Sequence, residues 1–154
     1  DFTVRFYPPQ NTIIDGGQTG NVIDAFGFSG TLIIDGFTIF NGLDTTGGGG
    51  VRINPSGDAD VTLGTVRIIG NTVTSASGAS GGGLYVELSS TQHFELVNCR
   101  VQDNHVSSTG GGVIASGGVG IRAIGDSSFL IQGCEIDENT LVSTGQVISA
   151  GVKI

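Results

Sequence analysis

Methionine and tryptophan are absent from the 154 residues, proline occurs three times, cysteine twice and basic side chains only six times. Each scarcity excludes something. Two cysteines, Cys99 and Cys134, are too few for a disulfide framework and too far from His or Cys partners for a zinc pattern. Charged residues amount to 13% at a hydrophobic content of 38%, which excludes the polar, charge-rich composition of a disordered chain. No apolar run approaches the ~18 to 20 residues of a membrane span, so no transmembrane segment is expected. Six basic residues against 14 acidic ones give a net charge of −8, and a phosphate backbone would be repelled overall. Nucleic acid is therefore not an expected partner. With no Met and Asp1 in first place, and no charged-then-apolar leader pattern in Asp1 to Gln10, the chain is expected to be a mature chain or an excised segment.

What is abundant is equally directive. Val, Ile and Thr number 15, 16 and 15, against 8 Leu and 7 Ala, and Gly numbers 28. That balance favours strands and turns over helices. The size fits one domain, residues 1–154.

An internal repeat organises the chain. Anchored on Ile39, Val73, Val101 and Ile136, four segments align without gaps. Two residues back lie Phe37, Asn71, Cys99 and Cys134; three back lie Gly36, Gly70, Asn98 and Gly133. Five back lie Ile34, Ile68, Leu96 and Ile131; seven back lie Leu32, Val66, Phe94 and Phe129. Apolar and polar residues alternate, break phase at the Gly or Asn, and resume, which is the pattern of strand, corner, strand. A further Gly or Asn recurs three past the anchor at Gly42, Asn104 and Asn139, with Ala76 as the exception. Thr12-Ile13-Ile14-Asp15-Gly16 reads as a partial fifth copy of Leu32-Ile33-Ile34-Asp35-Gly36. After each anchor come a Ser/Thr/Gly loop, a Gly run and another short strand. Three short strands per repeat, with matching inward positions, predict an all-β fold without significant helix, a right-handed parallel β-helix of about five coils.

Ile33-Ile34-Asp35-Gly36-Phe37-Thr38-Ile39, Gly81-Gly82-Gly83-Leu84 and Phe94-Glu95-Leu96-Val97-Asn98-Cys99 resemble the parallel β-helix repeats of the pectate-lyase-like superfamily. They are most similar to the repeats of bacterial surface proteins such as the polymorphic outer-membrane proteins, although Phe-x-x-Asn is not reproduced cleanly. The resemblance spans nearly the whole chain and concerns fold. It implies two function classes: structural or adhesive surface modules, and enzymes that cut acidic glycans using clustered carboxylates, often with Ca²⁺.

Few residues point to chemistry. Asp15 and Asp35 are expected at one corner position a coil apart, where turn bonding outweighs a cation site. Asp58 and Asp60 offer a weak Ca²⁺ pattern that matches no known loop spacing. No other cofactor is suggested. Arg67 with Glu95, and Arg100 with Glu135, are expected as opposite charges across adjacent coils. Asp103, Asp137 and Glu138 read as a solvated rim. Gly78-Ala79-Ser80-Gly81-Gly82 matches a nucleophile elbow but lacks its strand and helix. His93 and His105 show no Ser, Cys or carboxylate at a spacing the repeat brings into reach. Arg52, Arg122 and Lys153 each stand second in the strand after a Gly run, with Tyr85 the equivalent between, and this outward stripe is the candidate binding surface for a polysaccharide or a carboxylate-bearing neighbour. Cys99 and Cys134 are expected as stacked buried thiols, at a separation that also permits a disulfide.

The expectation for function is a secreted or cell-surface structural module, a stalk, fibre, surface-layer or adhesive element without catalytic residues. A polysaccharide lyase or glycoside hydrolase is the alternative. The first strand is expected near Phe2 to Phe6 and the last at Val152-Lys153-Ile154, with open edges that pair with further coils or with identical subunits head to tail.

Overall fold

The computed structural model describes residues 12–154 apart from 111, 113 and 114. The strand expected near Phe2 to Phe6 lies outside the described residues. Every regular element among them is a β-strand.

The chain winds through four coils of four strands each. After β1 (Ile13–Asp15), the first coil holds β2 (Ile23–Phe26), β3 (Gly30–Asp35), β4 (Thr38–Phe40) and β5 (Leu43–Asp44). The second holds β6 (Val51–Asn54), β7 (Ala59–Gly64), β8 (Arg67–Ile69) and β9 (Thr72–Ser75). The third holds β10 (Leu84–Leu88), β11 (His93–Val97), β12 (Arg100–Gln102) and β13 (His105–Ser108). The fourth holds β14 (Val119–Ala123), β15 (Ser128–Gln132), β16 (Glu135–Asp137) and β17 (Thr140–Ser143), and β18 (Val152–Lys153) follows. Like strands stack into four parallel sheets: I (β2, β6, β10, β14, β18), II (β3, β7, β11, β15), III (β1, β4, β8, β12, β16) and IV (β5, β9, β13, β17). This is a parallel β-solenoid.

Three details of the sequence reading need correction. Each coil has four strands, because the strand, corner, strand unit continues round a second corner into sheet IV. The second copy is anchored on Ile68, which lies in register with Ile39 and Val101, and not on Val73. Coil lengths vary while the strands conserve only apolar alternation, so a shift of five residues preserved the hydrophobic match. With the register set, Asn71 takes the place given to Ala76 and the exception disappears. Finally, β1 pairs with β4, placing Asp15 beside Phe40 in sheet III while Asp35 faces Gly64 in sheet II, so the two carboxylates do not stack.

Positive φ marks the corners. Between sheets II and III stand Gly36 (75°), Thr65 (52°), Asn98 (54°) and Gly133 (65°). Gly70 (63°) belongs to the next corner, with Asn41, Asp103 and Glu138. Thr65 is the costly one, since a β-branched residue is strained there.

The interior is filled by columns of like residues. Val51, Leu84 and Val119 stack from sheet I, Val61 and Phe94 from sheet II, and Ile39, Ile68 and Val101 from sheet III, all of them at most 1% exposed. Each ladder of backbone bonds thus carries a ladder of apolar burial, worth about 1.5 to 3 kcal/mol per large side chain. At the second corner the column is polar: Asn71, Asn104 and Asn139 are buried. Asn104 accepts from the Asn71 backbone and side-chain N–H groups through Oδ1, both at 3.0 Å, and donates through Nδ2 to Ile68 O and Asn139 Oδ1, both at 2.9 Å. The glycine runs answer this ladder. A Cβ on Gly50, Gly83 or Gly118 would fall 2.7 to 2.8 Å from the amide nitrogen of Asn71, Asn104 or Asn139.

Cys99 and Cys134 stack at the first corner as free thiols, Cys99 buried as expected and Cys134 only half-buried, because it lies in the fourth coil where the core opens. The Val66 N–H donates to Cys99 Sγ and the Cys99 N–H to Cys134 Sγ, at 3.4 and 3.3 Å. Burial pushes the Cys99 thiol up to about 12, with the nearby Cys134 adding to the rise.

Candidate functional site: the outer groove of sheet I

Sheet I is pleated, so Val51, Ile53, Leu84 and Val86 face the core and the residues between them face out. The outward residues form two columns. Asp24, Arg52, Tyr85, Gly120 and Lys153 make the first. Phe26 and Asn54 continue into Glu87 and Arg122 in the second. Arg122 thus stands one column away from its expected place, because β14 begins at Val119 and Gly120 is the true equivalent of Arg52.

Gly78, Ala79 and Ser80 before β10 and Ala115 before β14 border this face, which forms a groove. Two adjoining hollows of about 500 and 400 Å³ share Ser80, Tyr85 and Ala115. The first reaches back to Phe26, Arg52 and Glu87, and the second forward to Arg122, Lys153 and Ile154. All four residues of the sequence-derived stripe line it. Five strand rows at ~4.8 Å give a floor about 19 Å long.

Its electrostatics differ from a basic stripe. Arg52 donates to both oxygens of Asp24, at 2.9 and 2.7 Å, and this bond raises its pKa. Arg122 pairs with Glu87 in the coil below. Lys153 has no ion-pair partner among the described residues. Tyr85 is half-buried, and burial followed by the negative charge of Glu87 raises its hydroxyl pKa. Phe26 is 69% exposed. The groove therefore offers two rings, two charge-balanced pairs and one uncommitted ammonium group. Apolar periodicity showed neither Asp24 nor Phe26 as part of it, since both depend on the register of β2.

Asp15 Oδ1 accepts from the Gly17 N–H and from Asn41 Nδ2, each at 2.9 Å, and these bonds lower its pKa; it is a turn residue. Asp58 accepts from the Thr91 hydroxyl at 2.5 Å, and Asp60 stands opposite His93. Asp35 lies next to Gly64. Among the described residues no three His, Cys, Asp or Glu side chains converge as metal ligands. Arg100 pairs with Glu135 at 3.0 Å as expected. Arg67 faces Arg100 and Thr38, and Glu95 faces Thr62 and Leu130, so the Arg67 with Glu95 pairing falls with the misplaced second anchor. Ser80 bridges to Gly47 and precedes strand β10, so the elbow pattern has no elbow.

The expectation for His93 also needs correction, since Ser128 and Glu95 reach it, whereas His105 meets only a Thr hydroxyl among the described residues. Ser128 lies in register with His93 and Thr140 with His105. Nδ1 to hydroxyl distances are 2.8 and 2.7 Å. The signal was present at eight residues before the anchors, where His93 and Ser128 align, one step beyond the apolar positions used to build the repeat.

No protein-family model matches the chain, and no curated protein or solved structure matches it. What holds of the resemblance is the parallel β-solenoid itself. Among the described residues no helix is long and apolar enough to cross a membrane.

Proposed function

We propose that the chain is a structural or adhesive module of a secreted or cell-surface assembly, a stiff solenoid segment whose sheet I groove holds an extended polysaccharide. The observation that supports this reading is the way outward charges are used: Arg52 with Asp24, Arg122 with Glu87 and Arg100 with Glu135 each tie one coil to the next. Carboxylates committed to stacking coils are poorly placed as acid and base. The Phe26 and Tyr85 rings supply stacking surface for sugar faces, and Lys153 suits a single carboxylate on the ligand.

Further coils or identical subunits pair with the fourth coil in this reading. Its support is the opening of the core there: Phe129, Ile131 and Ile136 are half-buried, whereas Phe94, Leu96 and Val101, one coil below, are 0% exposed. Binding to immobilised neutral and uronate-containing glycans, with parallel measurement of released reducing and unsaturated ends, tests the proposal. Retention that falls in Tyr85→Ala and Lys153→Ala, without released ends, is expected. Turnover of any of these glycans would overturn it in favour of a lyase or hydrolase.

A further inference from the structure

Sheet II carries a second constellation on its outer face, apart from the groove. His93 on β11 and Ser128 on β15 are directly opposite, and His93 Nδ1 lies 2.8 Å from Ser128 Oγ. Glu95, two residues along β11 and so on the same face, lies with Oε1 3.2 Å from His93 Nε2. Ser128 is exposed, and the imidazole and carboxylate side chains are 36% and 35% exposed, so a reactant reaches all three. A hydroxyl on a base that is itself held by a third group is the arrangement of an activated nucleophile.

We propose that Ser128 is an acyl-accepting nucleophile, with His93 as its general base and Glu95 as a positioning residue, acting on esters of small carboxylic acids. A carboxylate only accepts hydrogen bonds, so Glu95 selects the tautomer with hydrogen on Nε2 and leaves the Nδ1 lone pair facing Ser128. In the forward step the Oγ to acyl-carbon bond forms as the Oγ proton passes to Nδ1. The bond from acyl carbon to the leaving oxygen then breaks, and that oxygen takes the proton from Nδ1. Water repeats the sequence in reverse: its proton goes to Nδ1, its oxygen bonds the acyl carbon, and Ser128 leaves and regains a proton, releasing the acid. Leu130, opposite Glu95 and 40% exposed, lies two residues along β15 to receive the apolar part of the acyl group. The Ser128 N–H is already given to Gln92 O at 3.0 Å, so it does not serve an oxyanion. Without that donor both acylation and deacylation are slow, and an activated ester acylates Ser128 faster than water removes the acyl group, giving a stoichiometric burst followed by slow turnover.

The test uses p-nitrophenyl acetate with the whole chain, following nitrophenolate release and locating the acetyl group by peptide mass mapping. One acetyl per chain on Ser128 is expected, absent in Ser128→Ala and formed about 100-fold more slowly in His93→Leu. Glu95→Gln, which keeps an acceptor for Nε2–H, retains most of the burst rate, while Glu95→Leu loses it with circular dichroism unchanged. Acetyl found only on Lys153 or the amino terminus, or a Ser128 burst indifferent to His93→Leu, would overturn the proposal. Mapping of the unaltered chain decides the first point even where a variant does not fold.

Discussion

Replacing Asn104 by Ala removes the centre of the buried amide ladder. Asn104 is 0% exposed, and its side chain takes part in four hydrogen bonds to the Asn71 backbone N–H, Asn71 Nδ2, Ile68 O and Asn139 Oδ1. Two of those partners have alternatives. Asn71 Nδ2 still reaches Ile39 O and Ile69 O, and Asn139 Oδ1 still accepts from the Asn104 backbone N–H. The Asn71 N–H and the second hydrogen bond at Ile68 O are lost without replacement. The orphaned Asn71 N–H costs about 1 to 3 kcal/mol and the bond lost at Ile68 O about 0.5 to 1.5 kcal/mol, so the cost is about 1.5 to 4.5 kcal/mol. Against a domain stability of about 5 to 15 kcal/mol that is a large fraction. Urea unfolding followed by circular dichroism measures it, with Thr31→Ala on the exposed face of sheet II as the control. Asn104→Asp adds a sign test. A carboxylate there faces two acceptors, so its folded pKa lies above the unfolded value, the variant is weakest at neutral pH, and stability returns as acid restores a donor. An Asn104→Ala loss below about 0.5 kcal/mol, no larger than a surface substitution, would refute the reasoning.

Gly83→Ala drives a Cβ to 2.7 Å from Asn104 Nδ2 and 2.9 Å from Val101 Cγ1, whereas Gly151 has nothing within 4 Å; thermal melts should show the first strongly destabilised and Gly151→Ala near neutral. Thr65→Asn relieves a β-branched residue at φ 52° and should raise stability by about 1 kcal/mol in the same assay. Burial raises the Cys99 thiol to about 12, so the folded state holds its proton more tightly than the unfolded chain. Stability from this group is full below about pH 9 and falls as pH rises toward 12, by at most about 1.4 kcal/mol per unit. Cys99→Val should flatten that alkaline slope in denaturant titrations.

The repeat was legible because inward columns demand like residues: Leu32, Phe94 and Phe129, or Ile39, Val101 and Ile136, fit only one face of a strand. The second coil was misread where those demands are weakest. Ile68 and Val73 are both fully buried in neighbouring sheets, and a five-residue shift exchanges one inward column for another at no hydrophobic cost. The polar positions were the better guide, since an Asn at positions 71, 104 and 139 requires a Gly at 50, 83 and 118 to make room. The groove was half legible: Arg52, Tyr85 and Lys153 share a column, but charge pairing with Asp24 and Glu87 depends on register between coils 28 and 35 residues long. Local alternation carries no information about that spacing.

Disulfide formation between paired cysteines tests the stacked register most directly. In a chain with Cys99→Ala and Cys134→Ala, the double substitution Arg67→Cys with Arg100→Cys places two outward residues directly opposite in sheet III. Mild oxidation should join them rapidly, at a Cα separation near 4.8 Å that a disulfide accepts. Thr72→Cys with Arg100→Cys should remain reduced, since Thr72 pairs with His105 in sheet IV. The reverse outcome, with Thr72 joined to Arg100 and the first pair unreacted, would contradict the four-sheet solenoid.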